Sequence, residues 1–291
     1  MIQEHLHRLP DGRGLAWASH GDPKGLPLVF CHGVPGGMTQ VSEAMAATAG
    51  RLGIRLMVPV RPGYGGSDPH PGRTFTAWAR DLADLMDAQG IQRFTILGCS
   101  LGAIYAMACA RALAGRIGAI GLAGTLAPGI EDHRAGMAPA VFQLYQAGKD
   151  GPAGLAEALA PLRGAPEALL EAMKASMPLP DQAMLVDPDL GPAFHSICVE
   201  TLRQGGIGMA EDFAMAAADW GFDPADVELP VLLWHGMEDR NAPPSMARAL
   251  QARLPSGRLQ VFPGEGHLCL YGHWEEILET LSSATTISLS S

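Results

Sequence analysis

The sequence lacks the features that mark membrane proteins, secreted domains and nucleic-acid-binding proteins. Its longest apolar stretches fall far short of the roughly 18 residues that a membrane-spanning helix needs. The N-terminal segment MIQEHLHRLPDGRG has neither the apolar region nor the cleavage site of a secretory signal. Lysine and arginine form no cluster, and 20 basic against 30 acidic residues give a formal net charge of -10. We therefore expect a cytoplasmic protein with no membrane or nucleic-acid partner.

Cysteine is scarce and shows no pairing pattern. The chain has five cysteines, an odd number, and none belongs to a CxxC pair. Three of them, Cys31, Cys99 and Cys109, lie in apolar runs, where cysteine behaves as a small hydrophobic residue. The sequence therefore predicts reduced, buried thiols in a reducing compartment rather than a disulfide framework.

Apolar residues, by contrast, are abundant. They make up 47% of the 291 residues and charged residues 17%, which is typical of a globular protein with a large core. Helical apolar spacing occurs at residues 75–89, and residues 101–113 are apolar nearly all round, which is typical of a buried helix. Short apolar runs predict strands buried on both faces at residues 26–31, 54–60, 94–97, 117–122, 230–234 and 259–262. This alternation predicts an α/β fold with a mostly parallel, doubly wound sheet, and the first 25 residues predict an edge hairpin.

The alternation of strands and helices is interrupted once. From residue 127 to about residue 227 the sequence has Ala- and Met-rich helical segments and no convincing strand. We therefore predict a core formed by residues 1–126 and 228–291, with residues 127–227 inserted as an all-helical segment. The last helix is expected at residues 274–281, followed by ten frayed residues.

The strongest chemical signal is the pentapeptide Gly98-Cys99-Ser100-Leu101-Gly102. It directly follows one predicted strand and opens the next predicted helix. A serine at such a strand-to-helix turn adopts a strained backbone conformation that lifts its hydroxyl clear of the sheet, and small residues on either side permit the turn. The sequence therefore predicts Ser100 as a nucleophile, with a capping serine in an ordinary turn as the alternative.

A second Gly-rich segment, HGVPGG, follows the strand at residues 26–31. Acyl transfer requires two backbone N–H groups directed at the developing oxyanion. Leu101, directly after the nucleophile, can supply one and Val34 the other, whereas Pro35 has no N–H to donate. His32 could be a base, but a histidine at this strand end is expected to brace the loop.

The general base should follow a late strand. His267 does so in the segment PGEGH, where two glycines give the loop freedom to place an imidazole over the sheet edge. Three other histidines are alternatives. We expect His273 to cap the last helix or to lie on the surface, and His235 to end the strand before the acid. His195 lies in the insertion, where it could line a pocket.

The acid that orients the base should also follow a strand. Asp239 lies in the segment HGMEDRNAPP after the strand at residues 230–234 and could reach the far nitrogen of His267. Its neighbour Glu238 competes for this role, and Glu131 or Asp132 would be a less favoured position. The resulting chain order of serine, aspartate and histidine is the order of α/β-hydrolases.

These segments together resemble the α/β-hydrolase superfamily over nearly the whole core. The resemblance is carried by CHGVPGG, RPGYGGSD, GCSLG, HGMEDRNAPP and PGEGH. In addition, DWGFDPADVELPVLLWHG resembles a large group of bacterial members described only as hydrolases. The resemblance implies that the insertion is a helical cap over the active site and that RPGYGGSD, residues 61–68, is a structural loop near the pocket.

A serine nucleophile predicts an acyl-enzyme intermediate, so the leading function is hydrolysis of a carboxylic ester of a small to medium apolar substrate. Relatives that carry aspartate at this turn, such as haloalkane dehalogenases and epoxide hydrolases, form an alkyl ester instead, and their reactions are not expected. The sequence has no metal-ligand motif or dinucleotide loop, so we expect neither metal nor cofactor.

Three other functions are also compatible with the sequence. Carbon–carbon hydrolases of ring-cleavage pathways use the same three residue types under a cap. Aminopeptidases of the fold are less favoured for two reasons. They usually read HGGPG, with glycine where this chain has Val34, and they carry Trp after the serine, where this chain has Leu101. A ligand-binding, receptor-like protein with little or no turnover is an alternative from another class. The oligomeric state is left undecided.

Overall fold

A computed structural model describes residues 3–290 of the chain. Within that range eight strands form one sheet. The strands are β1 (Glu4–Arg8), β2 (Gly14–Gly21), β3 (Leu26–Cys31), β4 (Ile54–Pro59), β5 (Phe94–Cys99), β6 (Ile117–Ala123), β7 (Val231–Gly236) and β8 (Gly257–Phe262). Every strand predicted from an apolar run is present, and β1 and β2 form the predicted hairpin.

The sheet has the strand order β1-β2-β4-β3-β5-β6-β7-β8. The six strands from β4 to β8 pair in parallel, whereas β2 pairs antiparallel to β4 and β1 antiparallel to β2. The central strand β5 is buried along its whole length, because helices cover both faces of the sheet. These pairings confirm the predicted α/β fold class with a mostly parallel sheet.

Twelve α-helices lie within residues 3–290, and six belong to the α/β core. The core helices are α1 (Glu43–Arg51), α2 (Phe75–Ala88), α3 (Gly102–Ala112), α10 (Pro244–Arg253), α11 (Cys269–Gly272) and α12 (Trp274–Ser290). In the sheet, β4 lies on one side of β3, whereas β5 and β6 lie on the other side. The connection from β3 to β4 therefore crosses the sheet in one direction, and the connections from β4 to β5 and from β5 to β6 cross it in the opposite direction. Because parallel crossovers are right-handed, α1 covers one face of the sheet and α2 and α3 cover the other.

The last helix is longer than the sequence predicted. It was expected to end at residue 281 and be followed by frayed residues, but α12 continues to Ser290. The reason is that the buried face of α12 does not stop at Leu281: Thr285 is also buried, and its hydroxyl bonds Thr95 at 2.6 Å. The helix end predicted at residue 281 is therefore wrong, and Ser291 lies outside the described residues.

The remaining six helices lie between β6 and β7, where the sequence predicted a helical insertion. They are α4 (Pro139–Lys149), α5 (Pro152–Leu159), α6 (Pro166–Ser176), α7 (Leu179–Leu185), α8 (Leu190–Leu202) and α9 (Ile207–Ala217). We call this group the insert. All five cysteines of the chain are buried, as expected. No helix among residues 3–290 is both long and apolar enough to cross a membrane.

Candidate active site

Ser100 lies at the tight turn between β5 and α3. Its φ of 54° is the single positive value at a non-glycine position in residues 3–290. The turn leaves no room for side chains at two neighbouring positions. A Cβ at Gly98 would lie 2.6 Å from Cα of Ala103, and one at Gly102 would overlap the carbonyl oxygen of Cys31. The sequence pattern around Ser100 therefore has a direct steric cause.

Ser100, His267 and Asp239 are joined in a chain of hydrogen bonds. Nε2 of His267 lies 2.9 Å from Oγ of Ser100, and Nδ1 lies 2.8 Å from Oδ2 of Asp239. Because a carboxylate can only accept, Nδ1 carries the proton and Nε2 is free to accept from the serine hydroxyl. His267 and Asp239 follow β8 and β7, so the carboxyl ends of three parallel strands bring the three side chains together.

The surroundings of Asp239 keep it charged. Burial alone would raise the pKa of this carboxyl group, but His267 and His235 beside it hold the pKa below its usual range. Its Oδ1 also accepts the backbone N–H groups of Asn241 and Ala242 at 2.8 and 2.9 Å. Burial favours neutral His267, yet the facing Asp239 carboxylate outweighs this and raises the pKa of the imidazole.

The loop after β3 lies beside Ser100. Gly33 packs close to Ser100, and its N–H donates to Oε1 of Gln40 at 2.8 Å. Val34 and Leu101 both line a cavity above the serine. Among the hydrogen bonds of residues 3–290, neither the Val34 N–H nor the Leu101 N–H has an acceptor. Two backbone donors thus stay free where the sequence predicted an oxyanion hole.

His32 braces this loop, as the sequence predicted. Its Nδ1 bonds the carbonyl oxygen of Gly33 at 2.9 Å, and its Nε2 accepts the N–H of Arg61 at 3.1 Å. Burial, followed by the nearby charge of Arg61, holds the pKa of His32 well below its usual value. A neutral imidazole with both ring nitrogens hydrogen-bonded to backbone groups supports the backbone of the loop.

The sequence matches the Alpha/beta hydrolase family over residues 28–280. The chain belongs to this family. One similar protein, the pimeloyl-[acyl-carrier protein] methyl ester esterase of Aromatoleum aromaticum, is 28% identical over 225 residues, covering 77% of this chain and 84% of that protein.

Solved structures of hydrolases share the architecture of the whole chain. A hydrolase from Pseudomonas aeruginosa PA01 superposes with a TM-score of 0.72 at 21% identity, covering 99% of both chains. A thermophilic esterase from Thermogutta terrifontis has a TM-score of 0.72 at 23% identity, covering 98% of this chain and 99% of that one. At these identities the likeness establishes the fold.

In this α/β-hydrolase the competing histidines of the sequence lie away from Ser100. His195 is on the surface of the insert, 3.2 Å from Glu167. His273 precedes α12, where its two ring nitrogens bond Glu265 at 2.7 Å and Glu276 at 3.0 Å. Neither of them lines the cavity above the serine.

His235 has a supporting position that the sequence did not indicate. It is fully buried, with Nε2 3.1 Å from Oδ2 of Asp239 and 2.7 Å from the carbonyl oxygen of Ala242. The competing acids Glu238, Glu131 and Asp132 are all exposed and do not bond His267. The structure thus brings Asp239, and none of these competitors, to the candidate base.

The cavity above Ser100 has a volume of about 220 Å³ and a largely apolar lining. Gln40 and Tyr271 add a polar pair, because Nε2 of Gln40 donates to the Tyr271 hydroxyl at 2.7 Å. The insert supplies much of the apolar lining, which includes Tyr145, Met173, Met177, Phe194, Met209 and Phe213. The sequence marked the methionines and aromatics of the insert but could not tell which of them face the site.

Sequence reasoning missed three acids of the insert that bond the loops around Ser100 or the arginine that supports one of them. Asp181, which is fully buried, accepts the backbone N–H of His267, and the partly buried Glu200 accepts those of Met38 and Thr39. The third acid, the fully buried Asp212, pairs with Arg61. The available signal was weak: these are acidic residues within otherwise apolar helices, and nothing local indicates their distant partners.

Asp212 anchors the segment at residues 61–68, which was expected to be a structural loop. Its carboxylate lies 2.8 Å from Nη2 of Arg61, and that guanidinium donates to the carbonyl oxygens of His32 and, at 2.8 Å, Gly33. Arg61 is fully buried and does not line the cavity. The loop therefore supports the backbone next to Val34 rather than facing a ligand.

Proposed function

We propose that this protein is a serine hydrolase that cleaves a carboxylic ester of a small to medium apolar substrate. Ser100 is the nucleophile, His267 the general base and Asp239 the residue that orients the base. The single observation that carries the proposal is the hydrogen-bond chain from Asp239 through His267 to Ser100, at 2.8 and 2.9 Å, under an apolar cavity.

In the proposed reaction, Nε2 of His267 takes the proton of Ser100 as Oγ attacks the ester carbonyl. The charge that develops on the carbonyl oxygen is stabilised by the backbone N–H groups of Val34 and Leu101, which are otherwise without an acceptor in residues 3–290. His267 then protonates the leaving alcohol, and an acyl-enzyme forms on Ser100. Water, activated by the same histidine, hydrolyses this ester and frees the acid. The catalytic groups in this scheme are side chains and backbone N–H groups of the protein, and water is the second nucleophile.

The ester class is supported by the cavity and by a relative. An apolar cavity of about 220 Å³ suits an uncharged acyl or alcohol group better than a strongly charged one. The relative from Aromatoleum aromaticum, 28% identical, is named as a methyl ester esterase. In this proposal residues 127–227 are the cap that closes the cavity over a core formed by residues 1–126 and 228–291.

A chain-length series of p-nitrophenyl esters tests the proposal. We expect turnover that peaks at one acyl length in the wild type and is lost in Ser100→Ala, where a small residue replaces a small one. A fluorophosphonate probe should add one adduct, seen by intact-mass analysis in the wild type and absent from Ser100→Ala.

The outcomes separate the alternatives. An adduct on Ser100 without ester turnover would contradict the ester assignment and favour a carbon–carbon bond, a peptide or a ligand-binding role. The absence of both adduct and turnover would refute Ser100 as the nucleophile.

A further inference from the structure

Asp181 is a buried carboxylate of the insert that bonds the backbone of the candidate base. It lies on α7 and has no exposed surface. Oδ2 accepts the N–H of His267 at 2.8 Å, and Oδ1 accepts the N–H of Leu268 at 2.9 Å. Within the part of the chain that the structure describes, these two backbone groups are its hydrogen-bond partners. Its carboxylate therefore fixes two successive peptide groups at the point where the imidazole leaves the chain.

We propose that Asp181 is a positioning residue, through which the insert fixes the orientation of His267 towards Ser100. The inference rests on the proposed function in one respect, namely that His267 is the base. It adds that the base is held from two sides. Asp239 orients the ring through Nδ1, while Asp181 orients the backbone from a helix 86 residues earlier in the chain.

The packing around the contact supports this assignment. A Cβ on Gly266 would overlap the Asp181 carboxylate, so the loop and the acid lie in direct contact. Burial raises the pKa of Asp181, and the two N–H bonds offset this only in part. A buried acid with a perturbed pKa in contact with a candidate catalytic loop is a feature that functional sites often show.

Asp181 also acts on the charge of the imidazole. The pKa of His267 is lowered by burial and raised by Asp239 first and Asp181 second. The titratable groups that act on Asp181 are His267 and Asp239, while Glu265 in the same loop bonds His273 instead. Removal of the Asp181 charge should therefore lower the pKa of His267.

The test compares two substitutions of matched chemistry. Asp181→Asn keeps the side-chain volume but turns an NH₂ group towards a backbone N–H, so one of the two bonds is lost. Asp187→Asn is the control, because Oδ1 of Asp187 also accepts two backbone N–H groups, those of Asp189 and Leu190 at 2.9 and 3.0 Å, on the surface of the insert.

The first readout is the titration of the His267 ring, followed by NMR on histidine-labelled protein. In Asp181→Asn we expect the pKa of His267 to fall by about half a unit or more. The second readout is the rate of fluorophosphonate labelling of Ser100, which we expect to fall roughly tenfold because the base is displaced. Asp187→Asn should leave both values at the wild-type level.

A folded Asp181→Asn with wild-type titration and labelling would overturn the proposal, and so would a lower melting temperature as the sole effect. If that variant does not fold, Gly266→Ala tests the same contact, because the added Cβ displaces the carboxylate and φ of Gly266 is not positive. The titration needs no ester. A shifted His267 pKa in a protein without turnover or labelling would refute the proposed function and leave the positioning contact standing.

Discussion

Replacing Asp212 by asparagine should destabilise the protein more than most single substitutions. The Asp212 side chain is fully buried and accepts hydrogen bonds from four groups. Its Oδ1 lies 2.6 Å from both Arg73 Nη2 and the Tyr105 hydroxyl, and its Oδ2 lies 3.0 Å from Arg61 Nε and 2.8 Å from the Tyr64 hydroxyl. An amide cannot accept all of these bonds, and it leaves two buried guanidinium groups without their shared charge.

The size of the expected loss of stability in Asp212→Asn follows from these contacts. Arg73 keeps Glu211 at 2.9 Å, but Asp212 is the one acid that pairs with Arg61 in residues 3–290. Breaking a buried ion pair by removing one partner costs about 3–5 kcal/mol of the free energy of unfolding. For a chain of this size that corresponds to a fall in melting temperature on the order of 10 °C.

The stability difference between wild type and Asp212→Asn should become smaller as the pH falls. Burial alone would raise the pKa of Asp212, but Arg61 and Arg73 together hold it well below its usual value. The carboxylate therefore contributes stability above the unfolded-state pKa of about 3.9, and this contribution is lost as the pH falls through the lower folded-state pKa. The stability difference between wild type and Asp212→Asn should narrow below about pH 4.

Equilibrium urea unfolding at several pH values measures this difference. Asp226→Asn is the control, because Asp226 pairs with Arg111 on the surface with both side chains about half exposed. It should stay within about 1 kcal/mol of the wild type. If Asp212→Asn were equally stable at neutral pH, the buried network would not have the energetic role that we assign to it.

Three further predictions concern catalysis. Asp239→Asn should lower kcat by about four powers of ten, because it favours the wrong imidazole tautomer. Glu238→Gln, at an exposed position, should retain near wild-type kcat, and the reverse result would disprove the acid assignment. The raised pKa of His267 should place the acid limb of the kcat/KM profile above pH 6.5, with activity rising as the imidazole loses its proton; a limb below that value would contradict a raised pKa for this histidine. Met209→Ala should shift the ester preference to longer acyl chains, whereas Met137→Ala, at a buried position outside the cavity lining, should lower stability without that shift.

The positions of Ser100, His267 and Asp239 could be predicted because each lies in the turn or loop that follows a strand. Apolar runs locate the strands, and the carboxyl ends of parallel strands meet at one edge of a sheet. Three separate local patterns therefore define one place in space. The same argument gave Val34 and Leu101 as candidate donors of backbone N–H groups.

The insert could not be predicted in the same way. Its helices follow from apolar spacing, but the residues that face the cavity depend on how the helices pack on each other. Contacts such as Asp181 with His267 or Glu200 with Thr39 join residues 86 and 161 positions apart. No local motif marks Asp181 or Glu200, so the sequence predicts the helix that carries each acid but not the distant residue that the acid contacts.

Three helices of the insert are hydrogen-bonded to the loops around Ser100 or to the arginine that supports one of them, and the other three are not. This difference bears on how the cavity above Ser100 could open. Helices α7, α8 and α9 each place one acid against a loop of the candidate site or against the arginine that supports such a loop, namely Asp181, Glu200 and Asp212. Helices α4, α5 and α6, as far as the structure describes them, form side-chain hydrogen bonds only within the insertion. Opening of the insert as one body would break all three acid contacts and release the loops of the candidate base and of the candidate oxyanion donors together. We therefore expect any movement that leaves those loops in place to involve α4, α5 and α6, which line the cavity through residues such as Leu159 and Met173.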